Sequence, residues 1–316
     1  MKFINKFKKI EGDASFRKFY RNKINNSIIV VANKEKNKNL LIYDAINKIL
    51  IKNKILAPKL LSQNYSSNYI EIQELGNKTI CQLLEQKKIN RYFIFKKIIK
   101  NLNKIQLIKD KEIKNFRNQL YKIKEYNNKV LFNETKFFCD WYVPKKLSKQ
   151  KITKFNQKFK KEIKFLLSQL NFKNDTFVHR DFHISNLMYC KNKIGIIDSQ
   201  DSLIGNKAYD LASLIDDVRF RTSHKFKEKV YNYYLTTNKK IKLKKFRIDF
   251  EILSVLRNLK IIGIFTRLAA RDGKKSYLKL IPYAWKLISL RINENEVFHD
   301  LKILLNKNFK TKLNEN

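Results

Sequence analysis

The stretch HRDFHISN, residues 179–186, contains several side chains that could do chemistry. Asp181 and Asn186 lie within it, and Asp198 follows after two four-residue apolar runs, LMYC and IGII. The polar residues 191–193 separate these runs, and this pattern predicts a β-hairpin. If the turn is centred on those three residues, Asn186 and Asp198 lie directly opposite each other, about 5 Å apart at their Cβ atoms. An amide oxygen and a carboxylate at that spacing can share a hard divalent cation such as Mg²⁺.

The same three residues suit phosphoryl transfer. A transferred phosphoryl group carries negative charge that a metal ion offsets, and the acceptor hydroxyl needs a carboxylate that orients it and takes its proton. His-Arg-Asp, four further residues, Asn, a short hairpin and a final Asp is the arrangement found in protein-kinase-like enzymes. Asp181 is therefore the predicted catalytic base, and Asn186 and Asp198 are the predicted metal ligands.

Two other interpretations of this stretch are open. His179 and His183 are four residues apart, as two zinc ligands on a helix would be, but neither a cysteine nor a third histidine follows at ligand spacing. Alternatively, the polar residues are ordinary loop residues whose hydrogen bonds are satisfied by backbone. We expect His179 and His183 to support the loop by hydrogen bonding rather than to bind a metal ion.

The elements that must position these residues fall into two predicted lobes. Residues 1–75 contain the strand-like segments SFRKFYR, SIIVV and NYIEIQEL around one helix, which Pro58 ends. The helix is predicted from an apolar face made by Leu40, Tyr43, Ile46 and Leu50. Residues 76–316 are mainly amphipathic and helical, with a strand-rich part at 187–197. We predict an α+β, bilobal fold with a small sheet-containing N-lobe, residues 1–75, and a larger mainly helical C-lobe, residues 76–316.

The net charge of +41 over 316 residues has two explanations. A strongly basic protein usually binds nucleic acid or an acidic membrane. However, the excess is mostly lysine, it accompanies abundant Asn and Ile, and all three residues have A/T-rich codons. The basic residues are also spread through every segment, whereas a nucleic-acid-binding surface requires clustering on one face. We therefore expect no specific nucleic-acid partner.

The cysteines and the apolar segments predict a cytoplasmic protein. Cys81, Cys139 and Cys190 are odd in number and far apart, so neither a disulfide framework nor a zinc knuckle is expected, and a reducing compartment fits. The N-terminal segment MKFINKFKKIEGD lacks the apolar core of a secretory signal. No apolar run approaches the ~20 residues that span a bilayer, so membrane insertion is not expected.

Longer stretches carry a resemblance to a known family. HRDFHISNLM and IDSQDSLIGNKAYDLASLIDDVR resemble the aminoglycoside phosphotransferases, a branch of the protein-kinase-like fold. GDASFRKFYR, FFCDWYVPKKL and RNLKIIGIFTRLAARDGKKSYLKLIPYAW are more similar still to the anomeric sugar kinases acting on N-acetylmuramate and N-acetylglucosamine. The resemblance spans residues 11–285 and implies the fold more firmly than the substrate, because related folds phosphorylate many alcohols.

The resemblance implies roles for further residues. Asp181 matches the catalytic base, Asn186 and Asp198 match the metal ligands, and ATP and Mg²⁺ are the implied cofactors. The remaining implied positions are nucleotide contacts at Ser15 and Arg17, an adenine-binding hinge at Glu74 and Leu75, a sugar platform at Trp141 and Tyr142, and support of the catalytic loop by His179 and Asp210. The alternatives are a plain hairpin for the segment of Ser15 and Arg17, an ordinary strand end for Glu74 and Leu75, and a core aromatic pair in a helix for Trp141 and Tyr142.

The sequence departs from the family pattern at two places. Ser199 follows the metal aspartate where related kinases usually carry an aromatic residue, and a smaller side chain is expected to loosen packing there. The strand lysine that contacts the nucleotide phosphates has no clear equivalent, because VVANKE places Lys34 out of register. Arg17, Arg21 and Lys34 are therefore the alternative phosphate-binding cations, and no helix acid is identified as their partner.

The predicted function is an ATP- and Mg²⁺-dependent phosphotransferase acting on a small-molecule sugar. The anomeric hydroxyl of N-acetylmuramate or N-acetylglucosamine, in cell-wall sugar recycling, is the favoured acceptor. An aminoglycoside or small-alcohol kinase of the same fold is the nearest alternative, and a basic nucleic-acid-binding pseudokinase is an alternative of another class. Intact Asp181, Asn186 and Asp198 argue against the pseudokinase, which usually lacks one such residue.

Overall fold

The computed structural model of the chain describes residues 7–10 and 17–309. Its largest sheet is antiparallel, with strand order β1-β2-β3-β5-β4. These strands are β1 Phe7–Ile10, β2 Lys18–Asn22, β3 Ser27–Val31, β4 Leu60–Asn64 and β5 Tyr69–Gln73. SIIVV and NYIEIQEL were predicted as strands because β-branched and aromatic residues predominate, and β3 and β5 confirm both. Of the segment SFRKFYR, the described part forms β2 from Lys18 onward.

One helix covers the inner face of this sheet. Helix α1, Lys38–Lys52, ends before Pro58, and its apolar residues are buried at helical spacing as predicted. The core between α1 and the sheet consists of Val30, Ala32, Leu40, Tyr43, Ile70 and Ile72. This packing determines the side of the sheet on which the polar residues of α1 lie.

The segment after the sheet is less uniformly helical than predicted. Helices α2, Ile80–Glu85, and α3, Arg91–Gln106, are followed by a hairpin of β6, Glu112–Lys114, and β7, Leu120–Lys122. Asn118, in the turn, has φ 56°, a left-handed conformation that Asn adopts more readily than most residues. The mainly helical character predicted for residues 76–316 therefore does not extend to this hairpin, which was not predicted from the sequence.

The remaining elements are mostly helical. They are α4 Asn128–Thr135, α5 Lys149–Ser168, β8 Asn174–Val178, β9 Leu187–Cys190, β10 Lys193–Ile196, β11 Leu203–Asn206, α6 Ala208–Ile215, α7 His224–Thr236, α8 Leu243–Arg271, α9 Ile281–Ile292 and α10 His299–Phe309. Helix α8 is the long central element of this part, and most of its residues are buried. Gly263 allows its backbone close approach to another segment, since a Cβ atom there would lie 2.3 Å from the carbonyl carbon of Phe137.

Packing divides the chain into two compact units. The sheet unit comprises residues 1–124 and 176–204, and the helical unit comprises residues 125–175 and 205–316. The hairpin β9–β10 and the HRDFHISN loop thus belong to the sheet unit, although they come late in the chain. The functional lobes of residues 1–75 and 76–316 stay a prediction. Among the described residues, no helix combines the length and apolar composition needed to cross a membrane.

Candidate active site

The hairpin that follows the HRDFHISN loop has a two-residue turn. Lys191 and Asn192 have φ angles of 47° and 66°, as a type I′ turn requires. The strands pair in a register that continues to Asn186, whose carbonyl oxygen accepts a hydrogen bond from the Ile197 N–H at 3.1 Å. The expected opposition of Asn186 and Asp198 is therefore wrong by one residue. Asn186 lies opposite Ile197, and Asp198 follows directly at the same open end.

The Asn186 side chain is held by the backbone of the catalytic loop. Its Nδ2 donates a hydrogen bond to the carbonyl oxygen of Asp181 at 3.0 Å, and the His183 N–H donates to the same oxygen at 3.0 Å. Because the NH₂ group of the amide is bound in this way, Oδ1 is the atom that can bind a metal ion. The loop thereby couples the position of Asp181 to that of a hard oxygen ligand.

Asp198 presents a carboxylate that is partly open to solvent. Its backbone is left-handed, with φ 62° and ψ 38°, and its side chain is 39% exposed. Oδ1 accepts hydrogen bonds from Arg17 Nη2 at 2.8 Å and from Gln200 Nε2 at 3.2 Å. Burial raises the pKa of the Asp198 carboxyl, Arg17 opposes that rise, and the negative charges of Asp181 and Asp201 add to it. A carboxylate and an amide oxygen at the same end of a hairpin are the kind of hard oxygen ligands that a divalent cation takes.

His179 is buried beside this corner and contacts its backbone. The ring is buried, and burial lowers the pKa of His179, so the imidazole rather than the imidazolium is favoured. A neutral ring can donate through Nε2, which lies 3.2 Å from the carbonyl oxygen of Ile197. Among the described residues, the cluster with metal-ligand spacing is His224, Glu228 and Glu294, and it includes neither His179 nor His183. These contacts favour hydrogen bonding by His179 over zinc binding.

Helix α1 contributes polar contacts that the sequence did not reveal. The Arg17 guanidinium carbon lies 5.8 Å from the ring centroids of both Phe19 and Tyr43, within cation–π range. The Ser199 hydroxyl donates a hydrogen bond to Asn47 Oδ1 at 2.6 Å, and Asn47 follows Tyr43 by about one turn of α1. Ser199 is fully buried, so the expected looser packing after the metal aspartate is replaced by a hydrogen bond to α1. Burial and the Asp198 charge raise the pKa of Tyr43.

The other two candidate phosphate-binding cations, Arg21 and Lys34, form no ion pair with Asp198 in the described part of the chain. Arg21 pairs with Glu74 at 2.7 Å, and Lys34 is exposed in the turn Lys34–Lys36. The acid buried on α1, Asp44, pairs with Lys48 at 2.8 Å. Among the ion pairs of the described residues, this buried acid of α1 thus pairs with a lysine of its own helix and not with Arg17, Arg21 or Lys34. Arg17 is the candidate that reaches Asp198.

Packing between Leu75 of the predicted hinge and β10 explains why residue 195 is a glycine. Leu75 is buried, and its Cδ1 would lie 2.9 Å from a Cβ atom added at Gly195 of β10, so glycine makes room for it. Gly76 follows with φ 115°, a conformation that side chains rarely adopt. Nucleotide binding by Glu74 and Leu75 stays a prediction, and Ser15 lies outside the described residues.

The predicted sugar platform is part of an aromatic core in the helical unit. Trp141 and Tyr142 lie in a short π-helix, Phe138–Tyr142, a feature often found at functional sites. Tyr142 is buried, and its hydroxyl accepts a hydrogen bond from Trp285 Nε1 at 3.2 Å. The ring of Tyr142 packs against Phe138, Trp285 and Phe309, with centroid distances of 5.2–5.9 Å. A core role thus accounts for Tyr142, and sugar binding by this pair stays a prediction.

Asp210 occupies the position expected of a structural residue. It lies in α6 and is almost fully buried. Its role in supporting the catalytic loop stays a prediction.

The residues that sequence reasoning missed are Tyr43 and Asn47, which are four residues apart on one face of α1. A polar residue on a buried helical face was the available signal, because such a group needs a hydrogen-bond partner.

Comparison with known proteins places these features in a family. The model of the phosphotransferase enzyme family matches residues 6–243. The chain is 27% identical to the N-acetylmuramate/N-acetylglucosamine kinase of Neisseria meningitidis, over 85% of this chain and 80% of that protein. It is 25% identical to the protein of the same name from Pseudomonas aeruginosa, over 93% and 86% of the two chains.

Solved structures share the fold at low sequence identity. A choline/ethanolamine kinase family protein from Mesorhizobium loti superposes with a TM-score of 0.64 at 10% identity, covering 94% of this chain and 92% of that one. The GDP complex of aminoglycoside 2′-phosphotransferase-IIIa gives a TM-score of 0.63 at 10% identity, covering 92% and 93%. The predicted α+β, protein-kinase-like fold is thereby confirmed. With a family match over most of its length, the chain belongs to the phosphotransferase enzyme family and is an enzyme that phosphorylates a hydroxyl group.

Proposed function

We propose that the protein transfers a phosphoryl group from ATP, with Mg²⁺, to the anomeric hydroxyl of N-acetylmuramate or N-acetylglucosamine, in recycling of cell-wall sugars. The observation that carries the proposal is the corner where the Asp181 carbonyl holds the Asn186 amide beside Asp198. That corner supplies a base and two oxygen ligands from one short loop and hairpin. The names of the Neisseria and Pseudomonas relatives support the choice of sugar.

Each residue has a distinct role in this proposal. Asn186 Oδ1 and the Asp198 carboxylate bind the metal ion, which offsets the charge of the phosphates when bound. Asp181 orients the acceptor hydroxyl and takes its proton. Ser15 and Arg17 bind nucleotide phosphate, and the hinge at Glu74 and Leu75 binds the base.

The substrate side of the proposal rests on the helical unit. Trp141 is the more accessible member of the aromatic pair, because Tyr142 is almost fully buried. An aromatic face suits the apolar face of a pyranose ring. Residues 1–75 and 76–316 are proposed as the nucleotide-binding and the substrate-binding lobe. A reducing cytoplasm is the proposed location, and the three cysteines are all free thiols.

A panel of acceptors tests the function. Purified protein is assayed for ADP or GDP formation from ATP or GTP, with Mg²⁺ and N-acetylmuramate, N-acetylglucosamine, glucose, kanamycin, choline or ethanolamine. We expect ATP and an N-acetylated amino sugar to give the highest kcat/KM. Asp198→Ala abolishes Mg²⁺-supported turnover and weakens binding of Mg·ATP more than that of adenosine, because the lost contact is to metal and phosphate.

Other outcomes would replace the proposal. Preference for kanamycin, choline or ethanolamine would make the protein a small-alcohol or aminoglycoside kinase of the same fold. Turnover with no acceptor, together with tight and sequence-specific DNA binding at ~0.15 M salt, would favour the pseudokinase. If the net charge of +41 reflects codon usage, saturating duplex DNA leaves sugar turnover unchanged.

A further inference from the structure

We propose that Arg17 alternates between Asp198 and the nucleotide. Without nucleotide, its guanidinium offsets part of the charge of Asp198 and weakens binding of a divalent cation. A bound phosphate then takes over the guanidinium and releases Asp198 to the metal. This inference rests on the proposed binding of nucleotide and metal, and it does not depend on which sugar is the acceptor.

The contact between Arg17 and Asp198 carries the first step. The Arg17 side chain is 4% exposed and the Asp198 side chain 39%, so a buried cation meets a carboxylate that faces solvent on its other side. Arg17 Nη2 lies 2.8 Å from Oδ1, which also accepts from Gln200. Among the described residues, Oδ2 accepts no hydrogen bond, so one carboxylate oxygen is held and the other remains for a ligand.

The surroundings of Arg17 carry the second step. The rings of Phe19 and Tyr43 lie at the same 5.8 Å distance from the guanidinium carbon, and such ring faces guide a planar cation without binding it to one anion. Tyr43 lies on α1 about one turn before Asn47, which accepts a hydrogen bond from Ser199, the residue next to Asp198. The guanidinium can therefore change its anionic partner while the turn at Asp198 stays in place.

The alternatives for the phosphate-binding cation are weaker. Strand β3, Ser27–Val31, contains no basic residue, and Lys34 is exposed in the following turn. Arg21 is engaged with Glu74 at 2.7 Å. Arg17 lies immediately before β2 and directly after the GDASF segment, which is proposed to contact phosphate. Arginine also suits the task because its fork can bind carboxylate and phosphate oxygens alike.

Electrostatics then predicts reciprocal coupling. A guanidinium next to Asp198 repels a divalent cation and cancels part of the charge that attracts it. A nucleotide phosphate that attracts Arg17 removes both effects, so nucleotide and metal strengthen each other's binding by the same factor. Removing Arg17 should therefore strengthen binding of metal alone and weaken binding of nucleotide alone.

The test measures Mn²⁺ binding without nucleotide, and ADP binding in EDTA, by calorimetry on the full chain. We expect Arg17→Met to bind Mn²⁺ about tenfold more tightly than wild type and to bind ADP ~10–100-fold more weakly, the range for one charge-assisted hydrogen bond. Lys52→Met is the matched control, because Lys52 also pairs with an aspartate, Asp110, but at an exposed site. It should bind both ligands as wild type does.

A double-mutant cycle covers a failure of Arg17→Met to fold or an indirect effect. The cycle comprises Asp198→Asn, Arg17→Lys and the double variant. Asp198→Asn releases Arg17 and should tighten metal-free ADP binding, whereas adding it to Arg17→Lys should give much less of that gain. An unchanged or weaker Mn²⁺ affinity in a folded Arg17→Met would overturn the competition at Asp198. Unchanged ADP affinity would overturn the transfer to phosphate. If wild type binds neither ADP nor Mn²⁺, the proposed function itself fails, and the inference fails with it.

Discussion

Two aspartates in this molecule pair with arginine in different ways. Asp198, in the sheet unit, is 39% exposed and meets Arg17 through one oxygen atom. Asp216, in the helical unit, is fully buried, and both of its oxygens are bound. The donors to Asp216 are Arg291 Nε at 2.9 Å and Nη2 at 3.3 Å, Ser254 Oγ at 2.6 Å and Lys227 Nζ at 3.2 Å.

The difference separates a pair that a ligand can open from a pair that stabilises the fold. Burial alone would raise the pKa of Asp216, but Arg291 and Lys227 hold it well below its usual value. The pKa of Asp198 is raised instead, because a single arginine does not offset burial and the neighbouring carboxylates. A carboxylate that is incompletely neutralised can still attract a metal ion, whereas a saturated one cannot.

The largest expected effect is a loss of activity when the proposed base, Asp181, is replaced. Asp181→Asn should lower kcat by roughly 10²–10⁴, the usual range for a general acid–base group. The substitution keeps the shape of the side chain, so the unfolding temperature should stay within error of wild type. Steady-state kinetics and thermal unfolding of the same preparation test this. Wild-type turnover in a folded variant would remove Asp181 as the base.

Replacing Asp216, the aspartate of the fully buried pair, should affect stability instead of activity. Asp216→Asn leaves the buried charge of Lys227 without its counter-ion and leaves Arg291 with only Glu228 and Glu294, which costs about 3–5 kcal/mol of unfolding free energy. Urea unfolding measures the loss. Asp272→Asn is the control, since Asp272 pairs with Arg271 at the surface and should change the unfolding temperature little. Equal effects of the two substitutions would mean that burial does not distinguish these pairs.

A smaller effect is expected where α1 holds the turn at Asp198. Ser199→Ala removes the buried hydrogen bond to Asn47 and should lower the unfolding free energy by about 1–2 kcal/mol. Metal-free ADP should also bind more weakly, because Asn47 then positions Tyr43 and Arg17 less firmly. Calorimetry on the folded variant gives both numbers. A more stable Ser199→Ala would show that the hydroxyl does not support this turn.

The smallest expected effect is a pH dependence that distinguishes the two pairs. The pKa of Asp216 is lower in the folded than in the unfolded state, so its stabilisation is complete above the unfolded value, 3.8, and is lost as pH falls. The stability difference between wild type and Asp216→Asn should therefore shrink by about 1 kcal/mol between pH 6 and pH 3. Urea unfolding at both pH values measures it, and a difference that grows toward low pH would contradict the assignment.

Local sequence patterns predicted much of the site. The loop, the hairpin and the positions of Asp181, Asn186 and Asp198 depend on residues within about twenty positions of one another, where spacing is informative. The register was wrong by one residue because three polar residues predict a three-residue turn, whereas Lys191 and Asn192 both adopt positive φ. Polarity does not distinguish these two turns, and backbone conformation does.

Contacts between distant segments could not be predicted in this way. Arg17 and Asp198 are 181 residues apart, and Ser199 and Asn47 are 152 residues apart. Which cation reaches Asp198 depends on how β2 and α1 pack, and the sequence left Arg17, Arg21 and Lys34 as alternatives. The aromatic stretch at Trp141 and Tyr142 was similarly ambiguous, because core packing and ring stacking on a sugar favour the same residue types.

The most direct test of the proposed reaction follows the reducing end of the acceptor. Wild-type protein is incubated with N-acetylmuramate, ATP and Mg²⁺, and ADP formation and reducing-sugar content are measured on the same samples. Phosphorylation at the anomeric hydroxyl removes one reducing end for each ADP formed, and Asp181→Asn should slow both signals equally. ADP formation with the reducing end retained, or the absence of ADP formation with this sugar and with N-acetylglucosamine, would contradict the account.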